Sequence, residues 1–245
     1  MTQIVEVLEY LKKYPVFNNT TVQNKLNKSR NYTKLFLYRI KKRGYIYKIE
    51  KNKYTTSADA FLIASRIVWP SYISCWSALN YHNLIEQVPH AVSVITPKSK
   101  KSIKFSGTQI DFIKLNKNNF FGYEKVKYNN FEIFVADTEK SIVDSALLRK
   151  VSFSEIMEIM SNNVNKIKIN RLLQYVKRTG NKSLMKRFGY LFENLGKDYY
   201  NKFKNFIDAA YTPLDYSKNL YGKKNKKWRI IINAWKRRNT KNSRH

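Results

Sequence analysis

The sequence predicts an α+β protein in which a small helical region with a β-hairpin precedes a larger mixed α/β region, short strands first and helices after. Three observations carry this. Apolar residues recur at helical spacing over the first forty or so residues, and an aromatic and β-branched hairpin pattern follows at 45–56. Residues 91–136 alternate between short β-branched runs and turn dipeptides. From residue 138 on, the 3.6-residue period returns, with polar N-caps at its breaks.

The first helix is expected over Thr2–Lys13, with Ile4, Val7, Leu8 and Leu11 on one face and Pro15 as its stop. Thr20 and Gln23 have capping-box spacing before a short helix at Thr21–Leu26. Asn27-Lys28 then turns the chain into SRNYTKLFLYRIKKRG, Ser29 to Gly44. Thr33, Phe36, Leu37 and Ile40 gather on one stripe of this helix. Asn31, Lys34, Tyr38 and Lys41 occupy the other, with Arg30 in front and Lys42 and Arg43 behind. Ser29 suits an N-cap and Gly44 a C′ position. Helix, short helix, turn and longer basic helix is the order of a helix-turn-helix, and YIYKIEKNKYTT, turning at Lys51-Asn52, adds the hairpin of a winged helix. Amides and guanidinium groups on such a helix pair with base edges, and lysines neutralise phosphates. The candidate DNA contacts are therefore Lys28, Ser29, Arg30, Asn31, Lys34, Tyr38 and Lys41, with Lys48, Lys51 and Lys53 on the hairpin. The plain alternative is an ordinary surface helix beside a hairpin that closes a small core.

Further along, Asp59 opens a helix at Ala60–Val68, stopped by Trp69-Pro70, and Cys75–His82 forms another. Strands follow at Ala91–Thr96, Ile103–Phe105 and Gln109–Leu115, then a hairpin turning at Asn129-Asn130. Asp137 caps a helix over Thr138–Arg149, in which Glu139 and Asp144 read as a solvated face or as ion-pair partners. Helices are expected at Ser154–Asn162, Asn170–Arg178, Ser183–Leu195 and Lys197–Tyr211, with a last strand at Trp228–Ile232. This gives a DNA-binding domain at 1–57, a larger domain at 58–235 and a basic tail at 236–245.

The charge is uneven. The chain of 245 residues has 47 Lys and Arg against 17 acids, net +30. Residues 1–57 carry 13 cations and 3 acids, residues 58–217 carry 23 and 14, and residues 218–245 carry 11 and none. Drift toward an AT-rich coding sequence would spread lysine evenly, so the two dense ends favour a polyanionic partner. The loop lysines Lys98, Lys100, Lys101 and Lys104, and Lys223, Lys224, Lys226 and Lys227 near the end, are candidate secondary phosphate contacts, continued by Arg229, Lys236, Arg237 and Arg238. A single cysteine, Cys75, precludes an intramolecular disulfide. Glu6 and Glu9 interrupt any signal-peptide pattern, and the longest apolar run contains Arg66, so a cytoplasmic protein with no membrane partner is expected.

No catalytic or metal constellation emerges, and no cofactor is expected. His82, His90 and His245 are scattered. Asp111 followed by Glu132-Ile133-Phe134 lacks the lysine a nuclease strand pair would need. No Gly-rich phosphate loop follows a strand. A nucleic-acid-processing enzyme targeted by the N-terminal region, and an RNA-binding protein, stand as alternatives to a DNA regulator.

The run DAFLIASRIVWPSYISCWSALNYHNLIEQVPHAVSVITPK, Asp59 to Lys98, resembles the core of the AbiEi family of antitoxins. FFGYEKV (Phe120–Val126), VADTEKSIVDSAL (Val135–Leu147), GYLFENLGKDYY (Gly189–Tyr200) and YTPLDYS with KWRIIIN (Tyr211–Ser217 and Lys227–Asn233) follow in the same order, so the resemblance spans nearly the whole chain. Two positions depart from it: Thr138, where the family often has proline, and Lys51-Asn52, where an Arg-Gly pair is common. The resemblance implies a transcriptional autorepressor of a type IV toxin–antitoxin (abortive infection) system. Its winged helix would bind double-stranded operator DNA, and its C-terminal domain would counter a cognate nucleotidyltransferase-like toxin without being an enzyme itself.

Overall fold

The computed structural model describes residues 2–234. The architecture is mixed α and β, and the chain divides into two compact units. One holds the residues up to Ser77 together with Val88–Ala136; the other holds Ala78–Gln87 together with the chain from Asp137 on. The division does not fall at residue 57.

The first unit begins with α1 (Thr2–Leu11), α2 (Asn19–Leu26) and α3 (Arg30–Lys42), then the antiparallel hairpin of β1 (Tyr47–Glu50) and β2 (Lys53–Thr55). One core joins them: Val7, Leu11, Phe17, Val22, Leu26, Phe36, Leu37, Ile40 and Ile46. Phe17 also pairs with Tyr54 through two backbone hydrogen bonds of 2.9 Å, which docks the α1–α2 connection on the hairpin. The cap of α2 differs from the Thr20–Gln23 expectation. The helix starts earlier, so Asn18 accepts from Thr21 N at 3.0 Å and Thr21 Oγ1 accepts from Asn18 N at 3.5 Å. Asn27 closes the helix at φ +50°, a conformation that asparagine tolerates better than most residues.

Next come α4 (Ala60–Ile67), β3 (Tyr72–Ile73) and α5 (Cys75–Tyr81), the last of these crossing from the first unit into the second. β4 (Ala91–Thr96), β5 (Ile103–Phe105), β6 (Thr108–Lys114), β7 (Tyr123–Tyr128) and β8 (Phe131–Ala136) complete a six-stranded sheet in the order β5-β6-β4-β3-β8-β7. β4 runs parallel to β6 and β3 parallel to β8, while the remaining pairs are antiparallel. Two-residue β3 joins the halves of this sheet, and it has too few residues to show alternation in the sequence.

The second unit contains α6 (Thr138–Leu147), α7 (Phe153–Asn162), α8 (Ile169–Arg178), α9 (Lys182–Asn194) and α10 (Tyr200–Phe203). It also contains a small sheet of β9 (Thr212–Pro213), β10 (Lys223–Asn225) and β11 (Ile230–Ile232), in the order β10-β11-β9. The long helix expected at Lys197–Tyr211 is not formed. Asp198 accepts from Tyr200 N at 2.8 Å ahead of α10, which passes into a 3-10 turn at Lys204–Phe206, and Thr212 pairs with Ile230 as strand. α6 is buried on nearly every side, so the solvated-face reading of its acids is replaced by the ion-pair reading. Asp144 pairs with Lys140 with both side chains fully buried, and Glu139 accepts from Lys168 N at 2.7 Å. Among the described residues no helix is long and apolar enough to cross a membrane.

Candidate nucleic-acid interface

The two faces of α3 separate as their spacing requires. Thr33, Phe36, Leu37 and Ile40 are buried, whereas Arg30, Asn31, Lys34, Tyr38 and Lys41 are exposed, Tyr38 by 59%. Ser29 Oγ accepts from Tyr32 N at 3.3 Å, and Gly44 follows the C-cap Arg43 at φ +78°. The helix is thereby held at both ends. Lys28 stands exposed just before it. No ion pair or side-chain hydrogen bond engages Lys28, Arg30, Asn31, Lys34, Tyr38 or Lys41 among the described residues. Arg39, Lys42, Arg43, Tyr32 and Leu35 share the exposed surface. Tyr32 and Leu35 do not stand out in the sequence, because a half-exposed tyrosine or leucine has no signature distinct from a core one.

The hairpin turns at Asn52, φ +59°, whose Oδ1 accepts from Asn19 N at 3.0 Å and ties the tip to the start of α2. Lys48 and Lys51 are exposed. Lys53 is not free. Its Nζ lies 2.5 Å from Ile67 O and 2.8 Å from Glu50 Oε1. Lys100 reaches the same carboxylate at 2.5 Å and lies over the Phe112 ring. Burial alone would raise the Glu50 carboxyl, but the hydrogen bonds from Lys100 and Lys53 outweigh it and hold it below the ordinary carboxylate value. Lys53 and Lys100, both expected at phosphates, thus share one carboxylate, which offsets one of their two charges and holds both ammonium groups within the unit. Lys98, Lys101 and Lys104 of the same basic loop remain exposed.

In the second unit Lys223, Lys224 and Lys226 are exposed. Lys227 instead bridges Glu193 at 3.0 Å and Asp198 at 3.1 Å. Lys236, Arg237 and Arg238, with the rest of the tail at 236–245, lie outside the described residues. The second unit holds its other perturbed groups internally. Tyr175, half-buried and donating to Asp137 at 2.7 Å, is pushed up to about 12, by burial first and by that carboxylate second. Burial lowers Arg187 to about 10 as it donates to the carbonyls of Pro213 and Leu214. These contacts tie elements of the second unit to one another. Cys75 is buried, and among the described residues no group of three His, Cys, Asp or Glu side chains comes together.

No protein-family model matches the chain, and no curated protein matches it.

Proposed function

We propose that the chain is a DNA-binding transcriptional autorepressor and antitoxin, not an enzyme. In this reading α1–α3 and the β1–β2 hairpin form a winged helix whose α3 enters the major groove of operator DNA. The observation that carries it is the surface of α3: a helix anchored by four buried side chains that turns an unengaged amide, phenol and row of cations to solvent. Arg30 and Asn31 read base edges, Lys34, Lys41 and Lys28 meet phosphates, and Lys48 and Lys51 on the wing grip the flanking backbone. The antitoxin half of the proposal, with a nucleotidyltransferase-like toxin as functional partner, draws its support from the ordered resemblance to the AbiEi family.

The test is fluorescence anisotropy with duplex DNA from upstream of the gene, against a shuffled duplex, over a salt series. A preference of about a thousandfold or more supports the operator reading. Equal and steeply salt-dependent binding to both duplexes means that charge alone acts, and sinks it. Asn31→Ala is expected to cost about 1–3 kcal/mol on the upstream duplex and little on the shuffled one; equal losses would take Asn31 out of base readout. Co-expression with a nucleotidyltransferase-like toxin, which the resemblance implies is encoded beside this gene, checks the antitoxin half, which fails if growth is not rescued.

A further inference from the structure

The second unit presents a surface that α3 does not account for. β10, β11 and β9 place Lys224, Ile231 and Pro213 in one row across the small sheet, and Asn225, Ile230 and Thr212 in the next. The second row faces the core, since Ile230 and Thr212 are buried. The first therefore faces outward, joined on that face by Arg229 and Tyr211 through strand alternation. Two cations flank the single Tyr211 ring: Lys224 Nζ lies 5.1 Å from its centroid and the Arg229 guanidinium 5.5 Å. Tyr211 orients these charges and leaves them uncompensated, because a ring neutralises nothing.

The loop that leads into β10 is held at both ends yet shows its tip to solvent. Asn233 donates to Asp215 O at 2.8 Å and Asn219 O at 2.9 Å, and accepts from Asp215 N at 2.9 Å. Asp215 itself is bound by Ser217 and Ser154. At the other end Gly222 crosses the end of β11 so closely that a Cβ there would lie 2.2 Å from Ile232 O. Between these anchors Leu220 is 64% exposed and Tyr221 90% exposed. Lys218, Lys223 and Lys226 surround them with no ion pair or hydrogen bond from their side chains among the described residues. The acids of this unit near them in sequence are engaged: Glu193 and Asp198 by Lys227, Asp208 by Lys186 and Lys182, and Asp215 by the two serines.

We infer that this loop and sheet form a binding surface for single-stranded nucleic acid, on which Tyr221 stacks an unpaired base while Lys218, Lys224, Lys226 and Arg229 hold the phosphates. The two anchors hold the backbone that carries Tyr221, and stacking on a protruding phenol needs a base with an open π-face, which a duplex does not offer. An acidic protein would satisfy the cations without needing the ring.

The experiment uses the full chain and labelled oligo(dT) and oligo(rU) of about twenty nucleotides, long enough for several phosphate contacts. Tyr221→Ala is expected to weaken at least one of these strands about tenfold and to leave the upstream duplex unchanged, while Tyr221→Phe binds as wild type. Lys224→Ala and Lys226→Ala should each lower the salt slope for the strand by about 0.7. Preference for oligo(rU) over oligo(dT) assigns the surface to RNA, and the converse to DNA. Because Tyr221 is almost wholly exposed, folding does not confound its variants, and Asn31→Ala serves as the control that touches only the α3 reading. Unchanged strand affinity in Tyr221→Ala overturns the inference. So does an equal loss on the duplex, or polyglutamate competing as well as oligo(dT) at equal charge, which would mark a general or protein-directed acidic site.

Discussion

Glu50 shows how far a lysine's role depends on its neighbours. It draws in Lys53 from across the hairpin turn and Lys100 from fifty residues away, and Lys53 also donates to Ile67 O. Lys53→Ala is therefore expected to leave the salt slope of DNA binding unchanged and to lower stability by about 1 kcal/mol, the scale of a lost hydrogen bond with a partly exposed ion pair. Denaturant titration and the salt series together check this; a slope smaller by about one would return Lys53 to the phosphates. Lys140 and Asp144 are a different case, since both are fully buried on α6. Asp144→Ala removes the carboxylate that this buried ammonium pairs with and is expected to cost about 3–5 kcal/mol, whereas Lys140→Met with Asp144→Leu should recover most of that loss. Chemical denaturation of the two variants tests it, and equal losses would mean that the pair contributes more than its own neutralisation.

At the scale of elements, what could be read locally was read. The stripe of α3, the cap residues Ser29, Asp59 and Asp137, the short strand Ile103–Phe105 and the turn at Asn129-Asn130 rest on patterns or contacts within a few residues, and Ala91–Thr96 is marked by its own β-branched run although its partners are distant. What escaped was defined by distant partners. β3 and β9 are two residues each and exist because β4, β8 and β11 pair with them. The expected helix at Lys197–Tyr211 gave way to strand pairing at Thr212. The same division governs the candidate site: the exposed face of α3 follows from spacing and the Lys53–Glu50 pair spans only the hairpin turn, while the commitments of Lys100 and Lys227 arise from acids distant in sequence. Gly189 illustrates a tertiary constraint invisible in a helical run. A Cβ at this position of α9 would lie 2.0 Å from Trp228 Cζ3, and Trp228, fully buried, also donates its indole N–H to Glu193. Gly189→Ala gains helix propensity yet is expected to lose about 1–3 kcal/mol through overpacking. A thermal midpoint equal to or above wild type would show that the indole shifts freely.

For the molecule as a whole, charge sets the response to acid. Glu50 and Asp215 both sit below the ordinary carboxylate range; in Asp215 burial pushes upward, but hydrogen bonds from Ser154 and Ser217 prevail. A carboxyl lowered on folding stabilises fully above its unfolded value of about 4, and that contribution disappears as pH falls through the lower folded value. Over the same interval the 17 acids lose their charge while 47 Lys and Arg keep theirs, so self-repulsion grows. The thermal midpoint should thus hold between about pH 5 and 8 and fall steeply below about pH 4, with added salt restoring part of the loss. A midpoint insensitive to pH in that lower range would contradict both terms.

The order in which the chain enters its two units has a consequence for synthesis. The first unit is complete once Ala136 has left the ribosome, but Ala78–Gln87, made well before, belongs to the second. Its anchors come much later: Asn163 donates to Leu84 O at 3.1 Å and Lys166 to Asn83 O at 2.8 Å. A nascent chain therefore carries this segment unsatisfied through about eighty further residues of translation, several seconds at cellular rates. Leu84, buried in the finished protein, is exposed to chaperones and proteases during that interval. A clean excision of either unit at one point in the gene is also precluded, since every single cut leaves one of them without a piece of itself.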